Sequence, residues 1–274
     1  MQQPPIGLKV DDLNEKIRCV FEDDAWSRVV ARRGIEAADS VALRYPNYHR
    51  LRTAVNPTMR LFMRLRMHGL HHVPRRGPVI LAANHLSHVD PVMVIMASRR
   101  KAHYLAKDGH FESGPRKWLM NATGQIETHR ESGAKDALAN AVALLHAGKA
   151  VGIFPEGTRS KRTEAPFLLE GKTGVARLAS TVPGALVVPV ALQGTREMMT
   201  PSDHSFPRFW RPVHIRIGAG ISWSTWLRKG AMLTDEEVDA IGDLPDEELD
   251  ERVAELQRMF TDQLMASLRH LGAP

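Results

Sequence analysis

The chain has 274 residues, 43% of them hydrophobic, which is enough for one sizeable core or two small domains, and we expect one. Its single cysteine, Cys19, excludes an intramolecular disulfide and a cysteine-rich zinc cluster and predicts a reducing, cytosolic compartment. Lys and Arg (37) outnumber Asp and Glu (31), and the pI near 9.7 favours anionic partners such as nucleic acid, phosphorylated molecules or anionic lipid.

The chain lacks the usual sequence marks of membrane insertion. No apolar run approaches the roughly 20 residues that cross a bilayer, and residues 1–12 lack the basic-then-apolar order of a signal peptide. We therefore expect a protein that neither spans a membrane nor is exported.

The N-terminal part divides into two segments of different character. Residues 11–43 are polar with apolar side chains at helical spacing, which predicts helices that pack on the body of the protein. Residues 48–67 alternate arginines with Leu, Met and Phe. This second segment is basic and amphipathic, and it predicts a helix lying in a membrane interface, or else one whose apolar face packs on the core.

The middle of the chain alternates strand and helix patterns. Strands are predicted at 78–83, 102–106, 124–128, 150–154, 186–192 and 213–217, and helices at 91–99, 134–146 and 172–180. The alternation predicts an α/β fold with a single mixed sheet flanked by helices. An apolar stripe over residues 245–271 predicts a C-terminal helix. We expect a helical extension at 1–47, the main domain at 48–231 and a helical region at 232–274.

A histidine and an aspartate follow the first predicted strand of the sheet. His85 and Asp90 are separated by four residues, so they can meet only if His85 lies in a turn and Asp90 in the first turn of the next helix. Asp90 would then fix the tautomer of His85 and leave its other nitrogen as a base. Ser87 is close enough to require a test as a nucleophile. Alternatively, Asp90 is an ordinary N-cap before Pro91, and His85 a turn histidine.

A second polar loop, residues 154–160, follows the predicted strand 150–154. Gly157 permits close backbone approach, and Thr158, Arg159 and exposed N–H groups would form a nest for an anion. Glu156 and Arg159 could instead form a salt bridge. Lys107 and Arg130 also follow predicted strands, so with Arg159 they could converge on a phosphate at one edge of the sheet; singly, each could be a solvated surface charge.

Five histidines, His68, His71, His72, His85 and His88, raise the possibility of a metal site. Their spacing matches no standard zinc site, and Asp90 is the only nearby carboxylate. The sequence therefore predicts no bound metal.

Together these blocks resemble the glycerolipid acyltransferases, especially 1-acylglycerol-3-phosphate acyltransferases. The resemblance covers residues 65–218: His68 to Pro74, Gly77 to Asn84, the pair His85 and Asp90, residues 106–107, 124–130, 154–159 and 188–190.

This resemblance implies His85 as general base and Asp90 as its partner. It implies an acyl-CoA or acyl-carrier-protein donor, no metal or other cofactor, and a 1-acylglycerol-3-phosphate acceptor, with glycerol-3-phosphate or another lysolipid as alternatives. The enzyme would act peripherally at the cytoplasmic face of an anionic membrane. The residues implied in binding the acceptor phosphate are Lys107, Arg130, Glu156, Gly157, Thr158 and Arg159.

Two alternatives come from other classes of protein. A nucleic-acid-binding protein would suit the basic pI, but the cations here are interleaved with Leu, Met and Phe rather than with exposed aromatic side chains, so we expect no nucleic-acid partner. A catalytically silent lipid-binding relative would have lost its base. Because His85 and Asp90 are both present, an active enzyme is favoured.

Overall fold

A mixed sheet flanked by helices forms the centre of the protein. The computed structural model describes residues 6–9, 25–43, 64–107, 126–128, 133–200 and 208–274. The strands are β1 (Ile6–Lys9), β2 (Ser40–Leu43), β3 (Leu65–His68), β4 (Val79–Ala83), β5 (Ala102–Lys107), β6 (Ile126–Thr128), β7 (Ala150–Ile153), β8 (Leu186–Gln193), β9 (Val213–Ile217) and β10 (Ile221–Ser222). The helices are α1 (Ser27–Arg33), α2 (Asp90–Ala97), α3 (Gly133–His146), α4 (Gly174–Thr181), α5 (Thr195–Met198), α6 (Trp223–Lys229), α7 (Asp235–Ile241) and α8 (Asp246–His270), and Leu70–His72 is a 3₁₀ turn.

The main sheet has the strand order β3-β9-β8-β4-β7-β5-β6, and β10 adds to β8. Strands β8, β4, β7, β5 and β6 run parallel to one another, whereas β9 is antiparallel to β8 and β3 is parallel to β9. The predicted α/β fold with a mixed sheet is confirmed. As a result, the carboxyl ends of β4, β7 and β5 lie at the same edge, which is where parallel sheets carry their sites.

The central strand β4 shows why this sheet forms. All five of its side chains are buried. Val79, Leu81 and Ala83 enter a core beneath α2, while Ile80 and Ala82 enter the core on the opposite face, beneath α3, α4, α6 and α8. A strand buried on both faces needs a continuous apolar run, and the sequence from Val79 to Ala83 supplies it.

The predicted C-terminal helix is confirmed as α8, whose apolar stripe faces the core. Asp246, Glu247 and Glu248 lie in its first turn, and Arg269 and His270 lie in its last. These charges are opposite in sign to the partial charges of the helix dipole at each end and so stabilise the helix. The buried stripe includes Leu249, Val253, Leu256, Phe260, Leu264, Met265 and Leu268.

The helix α1 packs on the body of the protein, as predicted for this part of the N-terminal segment. Trp26 is fully buried, and its indole N–H donates to the carbonyl of Ser180 at 2.9 Å. Arg32 and Arg33 both pair with the Asp246 carboxylate at the start of α8, at 2.7 and 2.8 Å. Residues 10–24, which carry most of the apolar spacing used in the prediction, lie outside the described residues.

The prediction of helix throughout residues 11–43 is wrong at its end, because Ser40–Leu43 forms the strand β2. This strand pairs in antiparallel register with β1, so that Ile6 faces Leu43. Pairing with a partner more than 30 positions away outweighs the weak local preference for helix.

The predicted amphipathic helix also does not extend to Met67. Residues 48–63 lie outside the described part of the chain, but residues 65–67 belong to β3, where Leu65 pairs with Val213. Leu65 and Met67 are half-buried, whereas Arg66 and His68 are exposed, which is the period of two of a strand. Among the described residues, no helix is long and apolar enough to cross a membrane.

Candidate active site

The side chain of Asn84 fixes the point at which the chain leaves β4. Its amide donates to the carbonyl of Leu192 at 3.0 Å and accepts the Leu192 N–H at 2.7 Å. The buried amide therefore extends the pairing of β4 with β8 by one more residue. The next residue, His85, begins the turn at a defined position on the edge of the sheet.

His85 and Asp90 form the predicted hydrogen-bonded pair. Nδ1 of His85 lies 2.9 Å from Oδ2 of Asp90, which is fully buried at the start of α2. Because a carboxylate can only accept, Nδ1 carries the proton and Nε2 is the basic nitrogen.

Two further contacts hold the Asp90 carboxylate in place. Oδ2 also accepts the N–H groups of Leu86 and Ser87, both at 2.6 Å. These donors lie in the turn before the helix, and Val89 occupies the N-cap position, so the alternative of Asp90 as an ordinary N-cap is not what the structure shows. Oδ1 of Asp90 is buried and has no hydrogen-bond partner among the described residues.

Glu156 holds the backbone of His85 from the neighbouring strand. Ala82 of β4 pairs with Ile153 of β7, and three residues further on His85 and Glu156 face each other. Oε1 of Glu156 accepts the His85 N–H at 2.6 Å, and Oε2 accepts the Leu169 N–H at 2.9 Å. Burial raises the pKa of Glu156 to about 7, although both N–H donors oppose that rise.

The predicted roles of Glu156 as a phosphate ligand or as the salt-bridge partner of Arg159 are not what these contacts indicate. Both carboxylate oxygens are occupied by backbone donors, and the side chain is 1% exposed. The Ser160 N–H adds a bond to the carbonyl of His85 at 3.0 Å. The loop after β7 therefore holds both backbone groups of His85.

An aromatic stack that the sequence did not indicate lies against the imidazole. The ring of Phe154 is parallel to that of His85, with 3.9 Å between centroids and 10° between planes. The ring of Tyr104 in β5 packs against the Phe154 ring, with 5.2 Å between the two centroids. A parallel aromatic face restricts the plane of the imidazole ring.

The residues of the predicted anion nest lie in the same loop. Gly157 has φ +67°, which favours glycine, and its N–H closes a turn onto the carbonyl of Phe154 at 2.9 Å. Thr158 is exposed, and the Arg159 guanidinium contacts the His88 ring. Lys172, which the sequence placed only at the start of a helix, runs across Gly157, where its Cδ lies 3.0 Å from the position that a side-chain Cβ would occupy.

The other two predicted cations are only partly located. Lys107 is the last residue of β5, where it pairs with Thr128, so its backbone lies at the edge of the sheet that carries His85. Arg130 lies outside the described residues. The convergence of Lys107, Arg130 and Arg159 on one phosphate stays a prediction.

Ser87 has a structural contact. Its hydroxyl is buried and donates to the carbonyl of Met199 at 2.7 Å. This bond links the turn after β4 to the segment after α5.

The histidines outside the dyad make separate contacts. Nδ1 of His72 lies 2.8 Å from the carbonyl of Ile217, and the His71 ring packs on that of His72. In the part of the chain that the structure describes, no group of three or more His, Cys, Asp or Glu side chains could hold a metal ion.

Part of this chain is similar in sequence to known proteins. A curated 1-acyl-sn-glycerol-3-phosphate acyltransferase, LPAT1 of Arabidopsis thaliana, is 29% identical over 147 residues, which cover 50% of this chain and 38% of that protein. A 1-acyl-sn-glycerol-3-phosphate acyltransferase of Bacillus subtilis is 27% identical over 134 residues, covering 47% of this chain and 63% of that protein. The chain thus matches between 38% and 63% of the length of these relatives.

A solved structure and a family model complete the comparison. The crystal structure of the 1-acyl-sn-glycerophosphate (LPA) acyltransferase PlsC from Thermotoga maritima is 20% identical and has a TM-score of 0.49, over 94% of this chain and 95% of that one. The sequence model of the acyltransferase family matches residues 64–193, just under half of the chain, and these residues contain the His85–Asp90 pair and the loop after β7. Through this matched segment, the chain is similar to the acyltransferase family.

Proposed function

We propose that this protein transfers a fatty acyl group from an acyl thioester, carried by coenzyme A or acyl-carrier protein, to the free hydroxyl of 1-acylglycerol-3-phosphate in phospholipid synthesis. The 2.9 Å contact between His85 and a buried carboxylate carries this proposal, because it orients the imidazole as a base, while the hydroxyl of the nearby Ser87 donates to the carbonyl of Met199. The names of the curated relatives support the choice of acceptor.

In the proposed reaction, Nε2 of His85 takes the proton of the acceptor hydroxyl while the oxygen attacks the thioester carbonyl carbon. The C–S bond then breaks, and the departing thiolate receives the proton back from the imidazolium. Asp90 stabilises that imidazolium through Nδ1, and the face of Phe154 restricts the plane of the ring. The step needs no acyl-enzyme, metal or other cofactor.

Arg159, Lys107 and Arg130 are the proposed partners of the acceptor phosphate, with Gly157 and Thr158 supplying polar groups of the loop. Glu156 is proposed as a positioning residue that holds the backbone of His85. The lipid acceptor implies work at a membrane surface, and we place the enzyme peripherally at the cytoplasmic face.

The test is a mass-spectrometric assay of the purified protein with palmitoyl-CoA and a panel of acceptors: 1-acylglycerol-3-phosphate, glycerol-3-phosphate, and a lysolipid without an exposed phosphate monoester. We expect a diacylated glycerol phosphate from the first, in the presence or absence of a chelator. His85→Ala should lower the rate by about 10²–10⁴-fold, the usual contribution of a general base, whereas the exposed His71→Ala should not.

Three results would contradict the proposal. A folded His85→Ala protein with the wild-type rate would exclude the base. Preference for glycerol-3-phosphate would identify that molecule, rather than 1-acylglycerol-3-phosphate, as the acceptor. Absence of product with every acceptor would indicate that the protein is a catalytically silent lipid-binding relative.

A further inference from the structure

Two large aromatic side chains point into solvent at one turn of the protein. Arg208, Phe209, Trp210 and Arg211 form what we call the 208–211 turn, closed by the Arg211 N–H on the carbonyl of Arg208 at 3.0 Å. Trp210 is 66% exposed and Phe209 42%. Adjacent exposed aromatic residues are a marker of an interaction surface, because such side chains are normally buried.

The 208–211 turn lies at the edge of the sheet that carries His85. It precedes β9, which is antiparallel to β8 and pairs His214 with Gln193, the last residue of β8. Residues before β9 therefore lie beyond the carboxyl end of β8, beside that of β4. The backbone of Pro212 packs tightly against Gly194, so the approach of the turn to this edge is fixed.

Hydrogen bonds connect the 208–211 turn to the turn between β4 and α2. The Arg208 N–H donates to the carbonyl of Met198 at 2.8 Å, and its guanidinium donates to the carbonyl of Glu197 at 2.6 Å. The next residue, Met199, accepts the Ser87 hydroxyl. The aromatic pair is therefore held in a fixed position relative to the turn between His85 and Asp90.

Arginine residues lie next to the aromatic pair in the chain. Arg208 and Arg211 flank it in sequence, and Arg211 is exposed. Arg64, also exposed, lies beside the start of β9, because its carbonyl accepts the Val213 N–H at 3.0 Å. Exposed Trp and Phe bordered by arginine match the headgroup region of a bilayer, where aromatic rings and cations meet lipid phosphates.

We propose that the 208–211 turn docks the protein on a bilayer that contains anionic phospholipid, with Trp210 and Phe209 inserted at headgroup level and Arg211 and Arg64 against lipid phosphates. This inference rests on the proposed function, because docking there brings the edge of the sheet with His85 to the membrane that supplies a lipid acceptor.

Vesicle co-sedimentation of the full chain tests this docking without requiring turnover. Wild type should bind vesicles of phosphatidylcholine with phosphatidylglycerol more strongly than phosphatidylcholine alone. Trp210→Ala/Phe209→Ala should lower the partition coefficient at least about tenfold, since binding scales with the apolar area inserted. Arg211→Gln should lower it about fivefold, about 1 kcal/mol, on anionic vesicles only.

Two controls separate this proposal from others. Met232→Ala removes another exposed apolar side chain, 76% exposed, in the segment after α6; α6 begins directly after β10, which pairs with the opposite end of β8. This variant should bind as wild type. His85→Ala should also bind as wild type, so a failure of the proposed catalysis leaves this measurement intact.

Several results would overturn the docking proposal: no vesicle binding by wild type, wild-type binding by Trp210→Ala/Phe209→Ala, or equal loss in Met232→Ala. A wild-type dimer in sedimentation velocity that the double variant abolishes would also overturn it, by assigning the turn to self-association.

Discussion

Replacement of Asp90 separates the proposed catalytic role of its charge from the structural role of its oxygen. Oδ2 accepts three donors: Nδ1 of His85 and the N–H groups of Leu86 and Ser87. Asp90→Asn keeps an oxygen at that position and removes the negative charge, and its amide nitrogen takes the place of Oδ1, which already lacks a partner. Asp90→Ala removes the charge and the acceptor together.

The two variants should therefore differ in stability but not in the loss of catalysis. Without the carboxylate the imidazolium is unsupported, and kcat should fall by up to about 10²–10⁴-fold in both. In Asp90→Ala two buried N–H groups lose their acceptor, at about 1–3 kcal/mol each, or about 2–6 kcal/mol together. At roughly 2–4 °C per kcal/mol for a chain of about this size, Tm should fall by about 4 °C or more. Asp90→Asn should lose far less.

The assay combines kcat, from release of the thiol of coenzyme A, with Tm from thermal unfolding. Asp262→Asn is the control, because Asp262 is exposed and pairs with Arg258 one helical turn away; neither kcat nor Tm should change. A folded Asp90→Asn protein with the wild-type kcat would refute the reasoning, since Asp90 would then be only an acceptor for the turn.

Four further outcomes are expected. Burial raises the pKa of Glu156 to about 7, so its contribution to stability is full below the unfolded pKa near 4.5 and is lost as pH rises through 7. The Tm of wild type relative to that of Glu156→Gln should therefore decline between pH 5 and 8, and parallel Tm profiles of the two proteins would contradict this. Ser87→Ala should lose a hydrogen bond worth about 0.5–1.5 kcal/mol yet stay active, and intact mass after incubation with donor alone should show no acyl adduct. Gly157→Ala should lose about 1–2 kcal/mol by unfolding measurements, because its φ of +67° is unfavourable for alanine; unchanged stability would exclude that strain. Arg159→Ala should raise KM for the phosphorylated acceptor more than for the donor, and equal effects in steady-state kinetics would indicate a structural arginine.

The sequence predicted the dyad because its geometry is local. His85 and Asp90 are five positions apart, and the strand before and the helix after them have clear apolar patterns. The role of Glu156 could not be predicted in the same way. Its partners are backbone groups 71 and 13 positions away, and only the register of β4 against β7 brings His85 opposite it.

Distance along the chain also explains the other differences. The stacking of Phe154 on His85 joins residues at the ends of different strands, so no local pattern indicates it. The strand β2 depends on a partner near the N-terminus. At Leu65–His68, apolar and polar residues alternate with the period of a strand, but over only four residues. The arginines and apolar residues before them have a pattern that is typical of an amphipathic helix.

The support of His85 by the loop after β7 has a consequence for the order of folding. The dyad is local, yet the backbone that carries it is held by Glu156 and Ser160, more than 70 positions later in the chain. Contacts of such separation form late because the loop between them must close first. During refolding from denaturant, recovery of enzyme activity should therefore follow the joining of β4 to β7 rather than the earlier appearance of helical signal.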